Sequence, residues 1–217
     1  MFIPIDMNTY PRREHFNYYA DFIKCRYSMT YNIDITKLLF AVRQYNIKFY
    51  PTFIYICTKA INQNQEFRMT YNKHGELGYW DKINPSYTVF HDDDKTFSDI
   101  WTDYNDNFSL FLKAANTDME NGKKFHGIKA KDNQPPNFFP ISCVPWLSFT
   151  NLSIVPMNNN GMLFPIITIG KYFAENGKIL LPFAISVAHE AADGYHTCKL
   201  INDIQNLADN YEKWLNL

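Results

Sequence analysis

Lys178-Ile179-Leu180-Leu181-Pro182-Phe183-Ala184-Ile185-Ser186-Val187-Ala188, running straight into His189-Glu190-Ala191-Ala192-Asp193-Gly194, is the stretch on which the fold turns. Its first part is an apolar run of strand length, from 179 to 188, the pattern of a strand buried on both faces. Its second part sets one imidazole at the end of that strand, before a turn built on Asp-Gly. Beyond the turn, residues 197–214 place Leu200, Ile201, Ile204, Leu207, Ala208 and Tyr211 on one side, with Leu215 just past them. That spacing predicts an amphipathic closing helix. Imidazole, which titrates near neutrality, is the usual base for activating a hydroxyl or thiol. A plainer reading stands beside it, with a satisfied buried imidazole, Asp193 as a helix cap and Gly194 as a positive-φ position.

Outward from this stretch the chain alternates in character. Pro11-Arg12-Arg13-Glu14-His15-Phe16 opens a helix to about Ile23, with Phe16, Tyr19, Ala20 and Ile23 at helical spacing. Asp34 can cap a second helix containing Leu38, Leu39 and Val42, and the apolar residues 52–61 read as a third, buried helix. Aromatic and β-branched runs at 67–71, 77–80 and 87–91 read as strands. Residues 100–115 return to a helical pattern, and the polar 121–140, with Pro135-Pro136, reads as a long loop. Further strands are expected at 141–144, 147–155, 164–172 and 178–188. The order predicts an α/β (α+β) two-layer sandwich, a mixed β-sheet covered by helices, forming a single domain over 1–217.

Composition narrows the function classes. The net charge of −1, with no basic block, gives no electrostatic footprint for nucleic acid. No segment reaches the roughly 18 consecutive apolar residues of a membrane span, and the N-terminus lacks the features of a secretory signal. Cys25, Cys57, Cys143 and Cys198 are scattered without metal-type spacing and read as reduced thiols, which points to the cytoplasm. The 17% share of aromatic residues is read by default as core filling, and some of the rings can also line an apolar small-molecule pocket or a subunit interface.

The motif His189-x-x-x-Asp193-Gly194 resembles the active-site signature of the chloramphenicol acetyltransferase family. Pro11-Arg12-Arg13-Glu14-His15-Phe16, Lys48-Phe49-Tyr50-Pro51, Arg68-Met69, Tyr87-Thr88-Val89-Phe90-His91, Ile141-Ser142, Pro145-Trp146 and Pro165-Ile166-Ile167-Thr168 are similar to further family landmarks, in family order. The match runs from about Phe2 to Leu207. The resemblance implies an acetyl-CoA-dependent O-acetyltransferase acting on the primary hydroxyl of chloramphenicol, with no metal or prosthetic group. His189 would be the general base, Ser142 the oxyanion donor and Thr168 the holder of a water against the tetrahedral intermediate. Asp193 would pair with Arg12 as structural support beside Gly194, while the tautomer of His189 would be set by its own carbonyl. Tyr19, Cys25, Tyr27, Phe97, Ile154 and Ile166 would line the acceptor pocket. Trp146, Lys171, Tyr50 and Lys48 would lie by the coenzyme. The family's homotrimer, with each site between neighbouring chains, is implied as well.

The chain also departs from the family pattern. Ala188 replaces a flanking histidine, Glu190 sets a carboxylate next to the base, and Pro140 and Ser86 replace polar residues near the acceptor. These departures bear on the choice of acceptor more than on the chemistry. A relative acting on another hydroxylated acceptor, and a non-catalytic drug-binding protein, are the other readings.

Overall fold

The computed structural model describes residues 1–157 and 161–217. The chain runs β1 (Phe2–Pro4), α1 (Arg13–Asn17), β2 (Arg26–Asp34), α2 (Thr36–Gln44), α3 (Phe49–Asn62), β3 (Met69–Tyr71), β4 (Leu77–Trp80), β5 (Asn84–Phe90) and β6 (Phe97–Trp101). It continues through α4 (Phe108–Gly122), β7 (Phe138–Val144), β8 (Ile166–Gly170), β9 (Phe173–Glu175), β10 (Lys178–Ala188) and α5 (Gly194–Asp209). A seven-stranded mixed sheet has the order β2-β10-β8-β7-β5-β6, with β9 added against β10. Within it β5, β7 and β8 are parallel neighbours and the remaining pairs are antiparallel. A second, three-stranded sheet has the order β1-β4-β3.

The two-residue period of a strand divides the large sheet into two faces. Ile33, Tyr87, Val89, Ile141, Ile167, Ile169, Phe183 and Ile185 share one apolar core with Leu38, Ile54, Phe111 and Leu200 of α2–α5. The alternate residues Arg26, Ser28, Thr30, Ser86, Pro140, Ser142, Thr168 and Ser186 therefore lie on the opposite face. A smaller cluster, Phe16, Met69, Leu77, Leu163, Ala188 and Ala191, joins α1 and the small sheet to the end of β10. The small sheet depends on Gly78, since a Cβ there would lie 2.3 Å from the Phe2 ring.

The mixed two-layer architecture agrees with the sequence reading, and β10 has the expected bounds. Four segments differ. Residues 26–34 form β2, which the reading left unassigned. The helix expected over 100–115 is in fact the end of β6, a polar turn and then α4. Residues 147–155 form no strand; Ser153 and Asn151 instead meet Ser28 (2.8 Å) and Thr30 (3.2 Å) of β2 through side chains. The strand expected at 67–71 is a 3₁₀ turn, Gln65–Arg68, leading into the short β3.

Candidate active site

His189 follows the last residue of β10, and its N–H donates to the Cys25 carbonyl at 3.1 Å, one step past the Arg26–Ala188 pair of the ladder. Its ring is clamped by two tyrosines. Tyr19 stacks on it at 3.6 Å between centroids and 8° between planes, and Tyr27 meets its edge at 4.9 Å. Tyr19 reaches it from a π-helical segment, Tyr18–Ile23, that extends α1 and closes with Lys24 in the left-handed region at φ 51°. Such widened turns recur where a helix re-aims a functional side chain. The phenol of Tyr27 lies 2.6 Å from the Thr197 hydroxyl, and burial pushes it up to about 12. The bond expected between His189 Nδ1 and its own carbonyl is not made. That nitrogen is buried without a hydrogen-bond partner among the described residues, and aromatic stacking holds the ring instead.

Asp193 caps α5 by accepting from the Tyr195 amide at 3.1 Å, and the Arg12 guanidinium approaches it at 3.4 Å. Arg12 also donates to the carbonyls of Ala191 and Glu190, so it grips the turn directly after His189. Burial alone would raise the Asp193 carboxyl. The His196 ring, 2.8 Å away, with Arg12 and the Tyr195 amide, outweighs it and holds the carboxyl below its ordinary value. His196, which the sequence reading missed, thus supports Asp193 as much as Arg12 does; its spacing three residues into the helix was the available signal. Gly194 does not take a positive φ, and a Cβ there would meet only Met29 at 3.7 Å. Nothing among the described residues explains that glycine.

Ser142 and Thr168 are register partners on β7 and β8, with their hydroxyl oxygens 3.2 Å apart on the face turned away from α2–α5. Thr168 pairs with Ala184 of β10, and His189 lies five residues further on. At strand rise that is about 17 Å. The structure therefore gathers Tyr19, Cys25 and Tyr27 around His189, and sets the hydroxyl pair elsewhere on the same chain. Phe97 lies on β6, at the opposite edge of the sheet from β2, and is exposed. Ile166, opposite Ser186, belongs to the hydroxyl-bearing face, and Ile154 is exposed in the irregular segment along β2.

The four residues expected at the coenzyme do come together. Lys48, Tyr50, Cys143 and Trp146 line a cavity of about 390 Å³, and Tyr50, Cys143 and Lys171 line an adjoining one of about 250 Å³. Cys143 adjoins Ser142 in β7, but its side chain packs toward the helix-covered core, and Ser142 and Thr168 line neither cavity. Lys123, at the end of α4, adds an ammonium that the sequence reading did not single out. Burial holds the Cys143 thiol up at about 11, leaving it protonated and unsuited to nucleophilic attack near neutral pH.

Pro140 and Ser86, read separately as departures, are register partners in the sheet. Ser86 donates to Asp99 at 2.7 Å, and Pro140 lies two residues before Ser142 on the same face. Glu190 turns inward, 4% exposed, with one carboxylate oxygen lacking a partner among the described residues.

Residues 1–205 match the family model described as chloramphenicol acetyltransferase. The chain is 44% identical over 211 residues to a chloramphenicol acetyltransferase of Clostridium butyricum, covering 97% of this chain and 96% of the relative. It is 41% identical over 216 residues to one of Bacillus pumilus, covering 100% and 97%. A solved chloramphenicol acetyltransferase superposes with a TM-score of 0.84 at 19% identity, covering 96% of this chain and 100% of that one. A dihydrolipoamide acetyltransferase of Azotobacter vinelandii shares the fold at a TM-score of 0.63 and 17% identity, covering 88% and 84%.

Proposed function

The chain belongs to the chloramphenicol acetyltransferase family, and from that premise we propose that it transfers acetyl from acetyl-CoA to the primary hydroxyl of chloramphenicol. An alcohol is a weak nucleophile at neutral pH. His189 accepts the hydroxyl proton while the oxygen attacks the thioester carbonyl carbon. Charge develops on the carbonyl oxygen, where Ser142 donates a hydrogen bond, and Thr168 positions a water beside it. The tetrahedral intermediate collapses by breaking the carbon–sulfur bond, and the imidazolium returns its proton to the departing thiolate. Transfer is direct, because burial holds up both the Cys143 thiol next to Ser142 and the Cys25 thiol beside the base, which disfavours a thiolate nucleophile at either place.

The observation that carries this reading is the pair of hydroxyls 3.2 Å apart on β7 and β8, with a lysine-fringed cavity reached from the same strand through Cys143. Lys48, Lys123 and Lys171 suit coenzyme phosphates, with Trp146 and Tyr50 as apolar walls. The base stands about 17 Å along β10 from those hydroxyls, so a working site needs two chains. We therefore read the 217-residue domain as a protomer of a homotrimer, with His189 of one protomer facing Ser142 and Thr168 of the next. Phe22, 77% exposed, with Tyr18 and Ile23 beside it, offers apolar surface next to Tyr19 for that contact. Tyr19, Cys25, Tyr27, Phe97, Ile154 and Ile166 would then enclose the acceptor from both sides. No metal or prosthetic group enters the reaction. No helix among the described residues is long and apolar enough to cross a membrane. The scattered free thiols suit a reducing, cytoplasmic setting.

Thiol release from acetyl-CoA in the presence of chloramphenicol tests the reading. His189→Ala should lower kcat by about 10²–10⁴-fold; full turnover in that variant would refute the mechanism. A second acceptor class is favoured by one observation, the buried carboxylate of Glu190 directly beside the base. A panel of hydroxylated acceptors ranked by kcat/KM separates it from chloramphenicol.

A further inference from the structure

The turn joining β5 to β6, His91-Asp92-Asp93-Asp94-Lys95-Thr96, lies against residues 125–127 that follow α4. His91 is 4% exposed, and its Nε2 lies 2.8 Å from the Ser98 hydroxyl. Ser98 Oγ in turn lies 2.7 Å from the Gly127 carbonyl and 3.0 Å from that of Phe125. Carbonyls only accept, so the single serine proton goes to one of them and the serine oxygen accepts from His91. Nε2 therefore carries the ring proton of neutral His91, and Nδ1 carries the lone pair.

His126 is oriented in the same manner. Its Nδ1 lies 2.8 Å from Asp94 Oδ2, while the other oxygen of Asp94 takes the Thr96 amide at 2.9 Å and hydroxyl at 2.7 Å. In the neutral ring this leaves the lone pair on Nε2, which faces Asp93 Oδ2 at 3.5 Å. The two imidazoles stack at 4.6 Å, and one ligand-capable atom from each of His91, Asp93 and His126 lies within 4.8 Å of the others. The cluster thus offers two imidazoles, each with one nitrogen left free by its outer partner, and one carboxylate.

We propose that His91, Asp93 and His126 bind a divalent transition metal ion of the zinc class. Two imidazoles and one carboxylate suit such borderline ions, whereas magnesium and calcium take oxygen ligands. Three protein ligands leave a fourth position for water. Zinc needs ligand distances of about 2.0–2.2 Å, hence some closure of the present cluster. Asp93 and His126 are 71% and 49% exposed at their side chains, so they are free to close onto the buried His91. Ser98 and Asp94 would be the outer partners that fix both tautomers, an arrangement typical of metal-bound histidines. The site shares no residue with the acetyl-transfer machinery.

Calorimetric titration of EDTA-treated, dialysed protein with zinc chloride tests this. Binding stoichiometric with the chain is expected, weakened at least tenfold in His126→Ala and in Asp93→Asn. Asp94→Asn, which removes an outer partner and no ligand, should weaken it by about 10–100-fold. Acetyl transfer by His126→Ala should match the parent. Failure of the parent to bind zinc stoichiometrically, or zinc affinity unchanged in His126→Ala, would overturn the proposal and leave the cluster as a proton-bridged ion pair.

Discussion

Glu190 follows His189 directly in the chain yet does not point to solvent. Its side chain is 4% exposed, and one carboxylate oxygen is buried without a partner among the described residues. The nearby Arg26 guanidinium is already spent on the carbonyls of Met162, Phe164 and Ser186. An unsatisfied buried acceptor costs about 1–3 kcal/mol. Glu190→Ala should accordingly raise the urea midpoint, by about 1 kcal/mol of stability or more. A fall in stability would show that the carboxylate gains a partner across a subunit contact. On the proposed mechanism Ser142→Ala removes a donor needed only when charge develops. It should lower kcat by about 10²–10³-fold with KM for acetyl-CoA little changed; a loss confined to KM would make Ser142 a binding residue.

At the scale of elements, the turn between β10 and α5 is held by charge as well as by capping. Burial of Asp193 opposes ionisation, but His196, Arg12 and the Tyr195 amide together pull its carboxyl below the ordinary 3.8. A carboxyl whose value is depressed on folding adds stability above its unfolded value and loses it as pH falls through the folded one. Asp193→Asn keeps the cap but drops the charge. Its deficit against the parent should therefore be full above about pH 4 and close as the medium is acidified below that, read by chemical denaturation at each pH. An undiminished deficit below pH 3 would mean that packing, not charge, sets it.

Elements also differed in how openly the sequence announced them. β10, α3 and α5 are long, with uniform apolar periods, and could be read directly. β2 was equally legible in principle, since Tyr27, Met29, Tyr31 and Ile33 alternate with Arg26, Ser28, Thr30 and Asn32. The false helix at 100–115 arose because Ile100, Tyr104, Phe108, Phe111 and Ala115 are all buried at near-helical spacing. In fact the first belongs to a strand and Phe108, Phe111 and Ala115 to α4, with Tyr104 in the polar turn of 103–107 between them. Local period cannot tell one core from one element.

For the whole molecule, the separation of His189 from Ser142 and Thr168 makes a distinctive prediction. His189→Ala and Ser142→Ala chains, each inactive alone, should recover activity when unfolded together and refolded as a mixture. Random assembly pairs an intact histidine with an intact serine at about a quarter of interfaces, so about a quarter of parental turnover is expected. No recovery, with mixed oligomers shown to form, would place both residues in one chain's own site.

The motif His189-x-x-x-Asp193-Gly194 and the landmarks around Ser142 and Thr168 are local features that resemble one family's, and through that resemblance the sequence by itself determined the reaction class. The mixed sheet followed likewise from the periods of its long strands. Only the tertiary structure decided that Pro140 and Ser86 are neighbours and that Glu190 faces inward. It alone put His189 about 17 Å from the hydroxyl pair along β10 and brought His91 to His126. Strand register and the packing of segments distant in sequence fix those relations, and neither leaves a mark in the local pattern of residues.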